Sequence, residues 1–182
     1  MKKYFQLLAL CLLFPMALSA QGWNDAEYKQ IEQSIRVPQF ANKTYLITKY
    51  GAKETNAAAQ NQKAIQKAID LCSRKGGGKV VVPAGQKFLT GAITLKDGVN
   101  LEVQEGAVLE FVFQPELYPI VETSWEGLEC FNLSPCVYAF KAKDIAITGK
   151  GIIDGGGSND TWWPWNGSPR FGWKEGMISQ HL

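Results

Sequence analysis

The stretch KDIAITGKGIIDGGG, residues 143–157, contains a pattern of short apolar strands separated by glycines. The rest of the chain either leads into this pattern or repeats it. Ile145 and Ile147 alternate with small or polar residues, and after the next glycines a second apolar pair precedes Asp154. Alternation with a period of two is typical of a half-buried strand. Strands this short, separated only by glycine corners, predict a chain that turns repeatedly and stacks each strand on the one before.

A second copy of this pattern lies upstream in KDGVNLEVQEGAVLE, residues 96–110. Val99 and Ile145 are 46 residues apart, which predicts two stacked turns of roughly 23 residues, since fixed periods in this range are typical of solenoids. A β-sandwich of hairpins is the competing fold. It requires two-residue Asn-Gly or Asp-Gly turns throughout, and only Asp97-Gly98 has that form.

A helix is predicted over residues 57–75, with Asn56 as its N-cap. Ile65 and Ile69 belong to one apolar stripe at helical spacing, so the helix is expected to lie on an apolar surface. The glycine triplet at 76–78 follows the helix and ends it. A phosphate-binding loop precedes its helix instead and requires Gly-Lys-Ser/Thr, so the triplet does not indicate a phosphate site.

Short strands are predicted at 45–50, 79–82, 88–95, 99–103, 108–112 and 137–140. Gly91 is expected to kink the third of these strands. Four of the strands fall within about 35 residues without a helix between them, which excludes a doubly wound sheet. Residues 113–135 contain three prolines and are predicted to be a long irregular segment, a length of loop that is uncommon unless it is functional.

The N-terminal residues 1–20 have the layout of a secretory signal peptide: a lysine pair, an apolar run and then small residues. The apolar run is shorter than the about 20 residues that a membrane span needs. We therefore predict a cleaved signal and a secreted or periplasmic protein that does not stay in the membrane. Residues 21–43 are interpreted as a leader segment that covers a domain end, with a short helix over 27–35 as the alternative.

The charge balance gives information about binding partners and none about the fold. Removing the signal leaves 162 of the 182 residues, and it takes two of the 19 basic side chains, so 17 remain to match the 17 acidic ones. A chain of this length can bury a core as one domain. Its balanced charge gives no reason to expect binding to nucleic acid or to a membrane surface.

Three cysteines remain after the signal, at positions 72, 130 and 136. An odd count in an exported chain implies at least one free thiol or an intermolecular partner. Cys130 and Cys136 either close a small loop or are buried thiols. His181 is the only histidine, so no Cys/His set has metal-ligand spacing and no metal site is predicted.

Four blocks of sequence together resemble glycoside hydrolase family 28, the polygalacturonases: residues 57–85, 89–109, 118–139 and 144–163. The first block is shared with many pectate-lyase-like proteins. The WEG-x-EC-x₃-SP block followed by the ITG-x-G-x-IDG block is more specific. The resemblance implies an all-β fold, a right-handed parallel β-helix. Residues 44–182 would form its N-terminal coils, behind a capping α-helix and incomplete at the C-terminus.

The resemblance also implies an activity, the hydrolysis of α-1,4-galacturonosyl links in a pectic polysaccharide or oligogalacturonide, without a cofactor. Family members invert the anomeric centre with aspartates that act as the acid and as the base that activates water. They carry these groups in N-x-D, D-D, G-H-G and R-I-K motifs, none of which occurs in the 182 residues. We therefore expect no catalytic residue in this chain, and no activity from the chain alone; the substrate-binding residues and the oligomeric state are left open.

Two other functions compete with this one. A non-catalytic β-helix that binds carbohydrate or serves in adhesion would share the fold without the motifs. A Ca²⁺-dependent pectate-lyase-like protein would be marked by an acidic metal cluster together with a basic residue.

Some side chains are candidates for contact with a sugar. Asp154 is interpreted as a turn residue, because a turn aspartate commonly accepts backbone N–H bonds. Glu126 and Glu129 lie in the predicted loop and could reach a cleft, although exposed glutamates are more often only solvated. Tryptophans that could stack on sugar rings, although they more often fill a core, are Trp162, Trp163, Trp165 and Trp173. N-x-S/T sequons, relevant only in a eukaryotic host, occur at Asn42, Asn132, Asn159 and Asn166.

Overall fold

The computed structural model describes residues 25–177, so the predicted signal peptide and His181 lie outside the described residues. The helices are α1 (Asp25–Ser34) and α2 (Ala58–Arg74). The strands are β1 (Thr44–Leu46), β2 (Gly78–Val82), β3 (Lys87–Thr90), β4 (Ile93–Thr94), β5 (Val99–Val103), β6 (Val108–Phe111), β7 (Ile120–Trp125), β8 (Leu128–Leu133), β9 (Val137–Tyr138), β10 (Ala146–Gly149) and β11 (Ile152–Asp154). Short 3₁₀ turns cover Ile47–Tyr50, Pro115–Leu117, Trp163–Asn166 and Pro169–Phe171.

Nine of these strands form three parallel sheets. Sheet A has the order β1-β2-β5-β10, sheet B has β11-β6-β3 and sheet C has β4-β9. The chain visits A, B and C in turn and then returns to A, one position further along the stack. This arrangement is a parallel β-helix, and it confirms the predicted stack of short strands.

The coils differ in length. Gly78 pairs with Val99 in sheet A, so that coil contains 21 residues. Asn100 pairs directly with Ala146, so the next coil contains 46 residues. The prediction that this interval holds two turns was wrong, because β5 and β10 are immediate neighbours and the extra residues form an insertion between β6 and β9.

That insertion contains an antiparallel hairpin of β7 and β8, in register from Ile120↔Leu133 to Trp125↔Leu128. The prediction of an irregular segment over 113–135 was therefore wrong for most of its length. The two turn residues, Glu126 and Gly127, have φ angles of 49° and 86°. Left-handed conformation at both central residues is the requirement of the two-residue turn that suits a twisted hairpin. A glutamate before the glycine is an unusual choice there, which is why the turn was missed.

The core consists of inward-facing columns that run along the stack. Val80 pairs with Leu101, which in turn pairs with Ile147. Val80 and Leu101 are fully buried, whereas Ile147 is 50% exposed. The difference arises because β10 is the last strand of sheet A among residues 25–177, so nothing described covers its far side.

Helix α2 packs against β1 to β4, which include the first strand of each sheet, and its predicted apolar stripe is buried. The predicted cap was wrong: the N-cap is Ala57, whose N–H donates to the Gln60 side chain, while Asn56 donates to the Gly51 carbonyl. The predicted strand over 45–50 was also too long, because Ile47–Tyr50 forms a 3₁₀ turn.

The predicted strand over 88–95 is divided at Gly91 into β3 and β4. A Cβ at Gly91 would collide with the Leu117 side chain, so only glycine allows this close approach. Residues 91 and 92 thereby form a sharp corner between sheets B and C.

The open edges of the first coil are covered by polar side chains. Asn61 donates from Nδ2 to the Leu89 carbonyl of β3 at 3.0 Å, and Gln62 donates to the Ala92 carbonyl at 2.7 Å. The Lys87 N–H donates to Glu54 Oε1 at 2.9 Å. These contacts satisfy backbone groups that would otherwise be available to pair with another chain.

Helix α1 belongs to a different compact unit from the one that begins at Pro38. The alternative prediction, a short helix over residues 27–35, is confirmed. The helix runs over Asp25–Ser34. Tyr28 and Ile31 on this helix are each 54% exposed. That the leader covers a domain end stays a prediction.

Candidate functional site

We call the corner at which the chain passes from sheet B to sheet C the B–C corner. Two long segments leave the stack there, and we call them the two insertions. In the first coil only two residues separate Thr90 from Ile93. In the second coil Phe111 and Val137 are separated by the segment that contains the hairpin. In the third coil residues 155–177 leave β11 at the same corner. Irregular segments placed by a rigid scaffold commonly bind ligands, so this corner is the candidate site.

An aromatic cluster joins the two insertions. The ring of Phe113 lies 4.7 Å from that of Trp162 and 5.8 Å from that of Trp165, both edge-to-face. Tyr118 lies 5.0 Å from Trp162 on another side. Edge-to-face rings at these separations stabilise one another beyond the burial of their area. The cluster therefore holds residues 155–177 against the preceding coil.

The four candidate tryptophans do not share one role. Trp162 lies inside the cluster, and its indole nitrogen is buried without a hydrogen-bond partner among the described residues. Trp163 is 50% exposed and meets the edge of Phe171. Trp173 donates from Nε1 to the Met177 carbonyl at 3.3 Å. Trp165 alone of the four both joins the cluster and lines a cavity next to it.

That cavity has a volume of about 400 Å³ and opens beside Trp165. Its wall is partly apolar and partly polar, and includes Phe113, Trp165, Met177, Asn159, Asp160 and Lys174. A concave, largely apolar surface with a few polar groups is the usual form of a small-molecule site, and the volume lies within the usual range. The sequence indicated Trp165 but not Phe113, which is 52 residues away along the chain.

Asp154 takes the structural role that was predicted for it. Its Oδ1 accepts the Gly156 N–H at 2.9 Å, which closes a turn after β11. It also lies directly opposite Glu110 on the neighbouring strand. Glu110 forms an ion pair with Lys87, and this contact, with a smaller contribution from Asp154, raises the pKa of Lys87. Glu110 therefore links β6 to β3 through Lys87, whereas Asp154 bonds within its own turn.

Glu126 and Glu129 lie on the hairpin. Glu126 is an exposed turn residue. Glu129 lines a second cavity of about 290 Å³ with Glu122, Tyr138 and other residues. Two carboxylates in that wall make it a poor match for an acidic ligand, because like charges repel.

The three cysteines within residues 25–177 are free, so these residues contain no bridge between Cys130 and Cys136. Burial raises the pKa of the Cys72 thiol to about 11. Burial also raises the pKa of Cys136, which lies beside the Tyr118 hydroxyl. Neither thiol has the lowered pKa of a reactive cysteine.

Two features are absent from the described part of the chain, a metal-ligand cluster and a membrane-spanning helix. Within residues 25–177 no three His, Cys, Asp or Glu side chains are grouped so that they could hold a metal ion. Across the same residues, no helix has both the length and the apolar character of a membrane span.

Comparison with known proteins gives consistent relatives. Over 131 residues the chain is 39% identical to the exo-poly-alpha-D-galacturonosidase of Dickeya chrysanthemi, a match that covers 66% of this chain and 20% of that protein. The crystal structure of a hyperthermoactive exopolygalacturonase from Thermotoga maritima matches at 37% identity with a TM-score of 0.79, over 86% of this chain and 35% of the other. The family 28 exopolygalacturonase of Yersinia enterocolitica matches at 30% identity with a TM-score of 0.55, over 63% and 21%. This chain is thus similar to family 28 polygalacturonases over part of their length.

The family 28 resemblance expected from the sequence blocks is thereby confirmed, although no protein-family model matches the sequence. The chain spans about a fifth of the length of the Dickeya protein and about a third of the Thermotoga structure. The TM-score of 0.79 to the latter shows that the two chains share a fold over most of this one.

Proposed function

We propose that this chain forms the N-terminal coils of an exported family 28 glycoside hydrolase that cleaves α-1,4 links between galacturonate residues in pectin. The observation that carries the proposal is the joint match of sequence and fold to an exopolygalacturonase, 37% identity with a TM-score of 0.79 over 86% of this chain. The substrate is a pectic polysaccharide or oligogalacturonide, and the reaction requires no cofactor.

The proposed reaction inverts the anomeric centre. One carboxylic acid protonates the leaving oxygen while a second carboxylate activates water on the opposite face, which requires a separation of about 6.5–9.5 Å. The 182 residues contain none of the N-x-D, D-D, G-H-G and R-I-K motifs that supply these groups in the family. The cross-strand carboxylates of Glu110 and Asp154 are occupied by Lys87 and by Gly156. We therefore assign the chemistry to residues outside this sequence, and no activity to this chain alone.

The proposal includes the architecture around the coils. Helix α2 caps the stack, since it packs against the first strand of every sheet and its side chains satisfy their open edges. The coils wind with a right hand, which parallel strand–crossover–strand connections adopt in about 98% of cases. Residues 1–20 act as the export signal.

The experiment compares the 182-residue chain with the protein read from the gene through to its next stop codon. Both are assayed for release of reducing ends from polygalacturonate, and the anomer first formed is identified by NMR. We expect no release by the short chain and release of the inverted anomer by any longer product that carries the four motifs. Turnover by the short chain, or a retained anomer, contradicts the proposal.

A gene that stops after Leu182 with no motif remnant favours the other class, a non-catalytic β-helix module. An acidic Ca²⁺ cluster in the continuation, with turnover that depends on that ion and yields an unsaturated product, favours the lyase.

A further inference from the structure

We propose that the cavity beside Trp165 and Lys174 is a binding subsite for one uronate residue of an oligosaccharide. The proposed function contributes the substrate class, while the site itself is derived from the chemistry of its wall. The subsite lies at the B–C corner, outside the sheets that form the scaffold.

The wall has an apolar side that is held rigidly. Trp165 packs edge-to-face against Phe113 at 5.8 Å and against Trp162 at 5.3 Å, so its ring cannot turn without disturbing the cluster. Met177 adds apolar surface on the same cavity. A fixed aromatic ring offers area at a low cost in conformational entropy, and the C–H face of a pyranose ring can pack on it.

The wall also has a cation with no internal partner. Among residues 25–177 no carboxylate lies within ion-pair distance of the Lys174 ammonium, so no described side chain neutralises this charge at the cavity. An ammonium group in a concave site can donate charge-assisted hydrogen bonds to a ligand carboxylate. Lys174 is therefore the group that would distinguish an acidic sugar from a neutral one.

Two further polar side chains complete the wall. The amide of Asn159 and the carboxylate of Asp160 make no hydrogen bond within the described residues and line the same cavity. Both groups can bond sugar hydroxyls, which donate as well as accept. Thr161 also borders the cavity, but its hydroxyl already donates to the Gly156 carbonyl at 2.6 Å and is not available as a donor.

The combination excludes simpler ligands. A small inorganic anion has no hydroxyl donor for Asp160, so it would leave that carboxylate facing a like charge, whereas a ligand with both a carboxylate and hydroxyls can direct the first to Lys174 and the second to Asp160. A uronate residue instead presents one carboxylate, several hydroxyls and an apolar C–H face. Each of these has a counterpart on the cavity wall.

The test measures binding of trigalacturonate and of its methyl ester to the 182-residue chain by isothermal titration calorimetry, with tryptophan fluorescence as a second signal. The ester keeps the sugar rings and removes the charge. Lys174→Gln removes the cation, and Lys174→Arg restores it. Arg170→Gln is the matched control, since Arg170 belongs to the same segment but stacks on the Phe171 ring and does not line the cavity.

We expect the acid to bind about tenfold more tightly than the ester, the size of effect that one charge-assisted contact gives. Lys174→Gln should weaken binding of the acid about tenfold and leave the ester unchanged, while Lys174→Arg and Arg170→Gln should bind as the parent does. Absence of trigalacturonate binding overturns the subsite, as does an equal loss in Arg170→Gln or no loss in Lys174→Gln. Thermal melts of each variant confirm that the fold is retained.

These outcomes are separate from those of the proposed function. Hydrolysis by the longer gene product without Lys174-dependent binding overturns the subsite and leaves the glycosidase assignment intact. Lys174-dependent binding with no hydrolysis by any product of the gene supports the subsite and contradicts the glycosidase assignment.

Discussion

The side-chain amide of Gln66 hydrogen-bonds both backbone groups of Thr94, and so takes the place of a neighbouring strand at the edge of sheet C. Gln66 Nε2 donates to the Thr94 carbonyl at 3.0 Å, and the Thr94 N–H donates to Gln66 Oε1 at 2.9 Å. The flanking residues Ile93 and Leu95 donate their N–H groups in the other direction, to the next coil. A single residue of helix α2 therefore ends sheet C on the side of β4, where residues 25–177 supply no further strand.

Gln66→Leu should destabilise the chain. The substitution keeps the side-chain volume but removes both hydrogen bonds to Thr94 and the one that Gln66 donates to Asp70, so we expect a loss of about 1–2 kcal/mol in the free energy of unfolding. Lys67→Leu is the control, because Lys67 is exposed on the same helix. Urea denaturation followed by circular dichroism measures both variants. Equal stability of Gln66→Leu and the parent chain would show that water replaces the amide without cost.

The pKa of Asp70 predicts a dependence of stability on pH. Burial alone would raise this pKa, but hydrogen bonds from Lys96 and Gln66, both at 2.9 Å, outweigh it and the pKa lies below its usual value. A carboxyl with a lowered folded-state pKa stabilises the fold above its unfolded pKa of about 3.9, and this contribution is lost as the pH falls through the folded-state value. Asp70→Asn should therefore lower the Tm at pH 7 and have little effect at the lowest pH at which the chain still folds. A loss that is the same at every pH would assign the effect to packing.

Leu101 and Ile147 lie in the same core column, but truncation to alanine should lower the stability by different amounts. Leu101 is fully buried between Val80 and Ile147, so Leu101→Ala should cost about 2–5 kcal/mol by leaving a cavity. Ile147→Ala is the matched control in the same column, where half of the side chain is exposed and a smaller loss is expected. Chemical denaturation of both variants measures the difference. Similar losses would mean that the last coil is as tightly covered as the one before it.

Gly149 closes a turn that other residues cannot adopt without strain. Its φ is +103°, and a Cβ there would collide with the Val103 carbonyl oxygen. Gly149→Ala should thus cost about 1–3 kcal/mol or more. Gly155→Ala, at a position with open space and no positive φ, should be close to neutral. Thermal melts of the pair test this, and a neutral Gly149→Ala would show that the corner relaxes by moving β10.

The far end of sheet B should promote self-association of the isolated chain. Strand β11 is the terminal strand of that sheet, and Ile152 on it is 57% exposed. Open strand edges with apolar side chains pair with other chains, and a charge placed there opposes the pairing. Ile152→Lys should lower the light scattering of concentrated samples, whereas Leu128→Lys on the exposed hairpin should not. An equal effect of both would assign the association to surface hydrophobicity in general.

Periodicity made the scaffold predictable from sequence. The stripe of α2 is buried as its spacing predicts. In β5 the apolar positions Val99, Leu101 and Val103 are buried as the alternation predicts, but Asn100 between them is buried as well. The 46-residue interval is also present, but as one enlarged coil. The sequence could not show this, because an interval does not reveal how many turns lie inside it.

The candidate site was less predictable, since it depends on contacts across the chain. Trp162 and Trp165 were recognised only as tryptophans that could stack on something. Their partner Phe113 belongs to another coil, and no local pattern connects the two. The hairpin was missed for a similar reason, because its Glu126-Gly127 turn departs from the usual Asn-Gly or Asp-Gly pair.

The pairing Lys87↔Val108↔Ile152 runs continuously through sheet B although the chain makes a long excursion after β6. The length of the B–C corner is thus independent of the strand register. Descendants of one ancestral stack can gain, lose or exchange loops there while they inherit an unchanged scaffold. New side chains can then be introduced on one side of the protein without a change in the register of its strands.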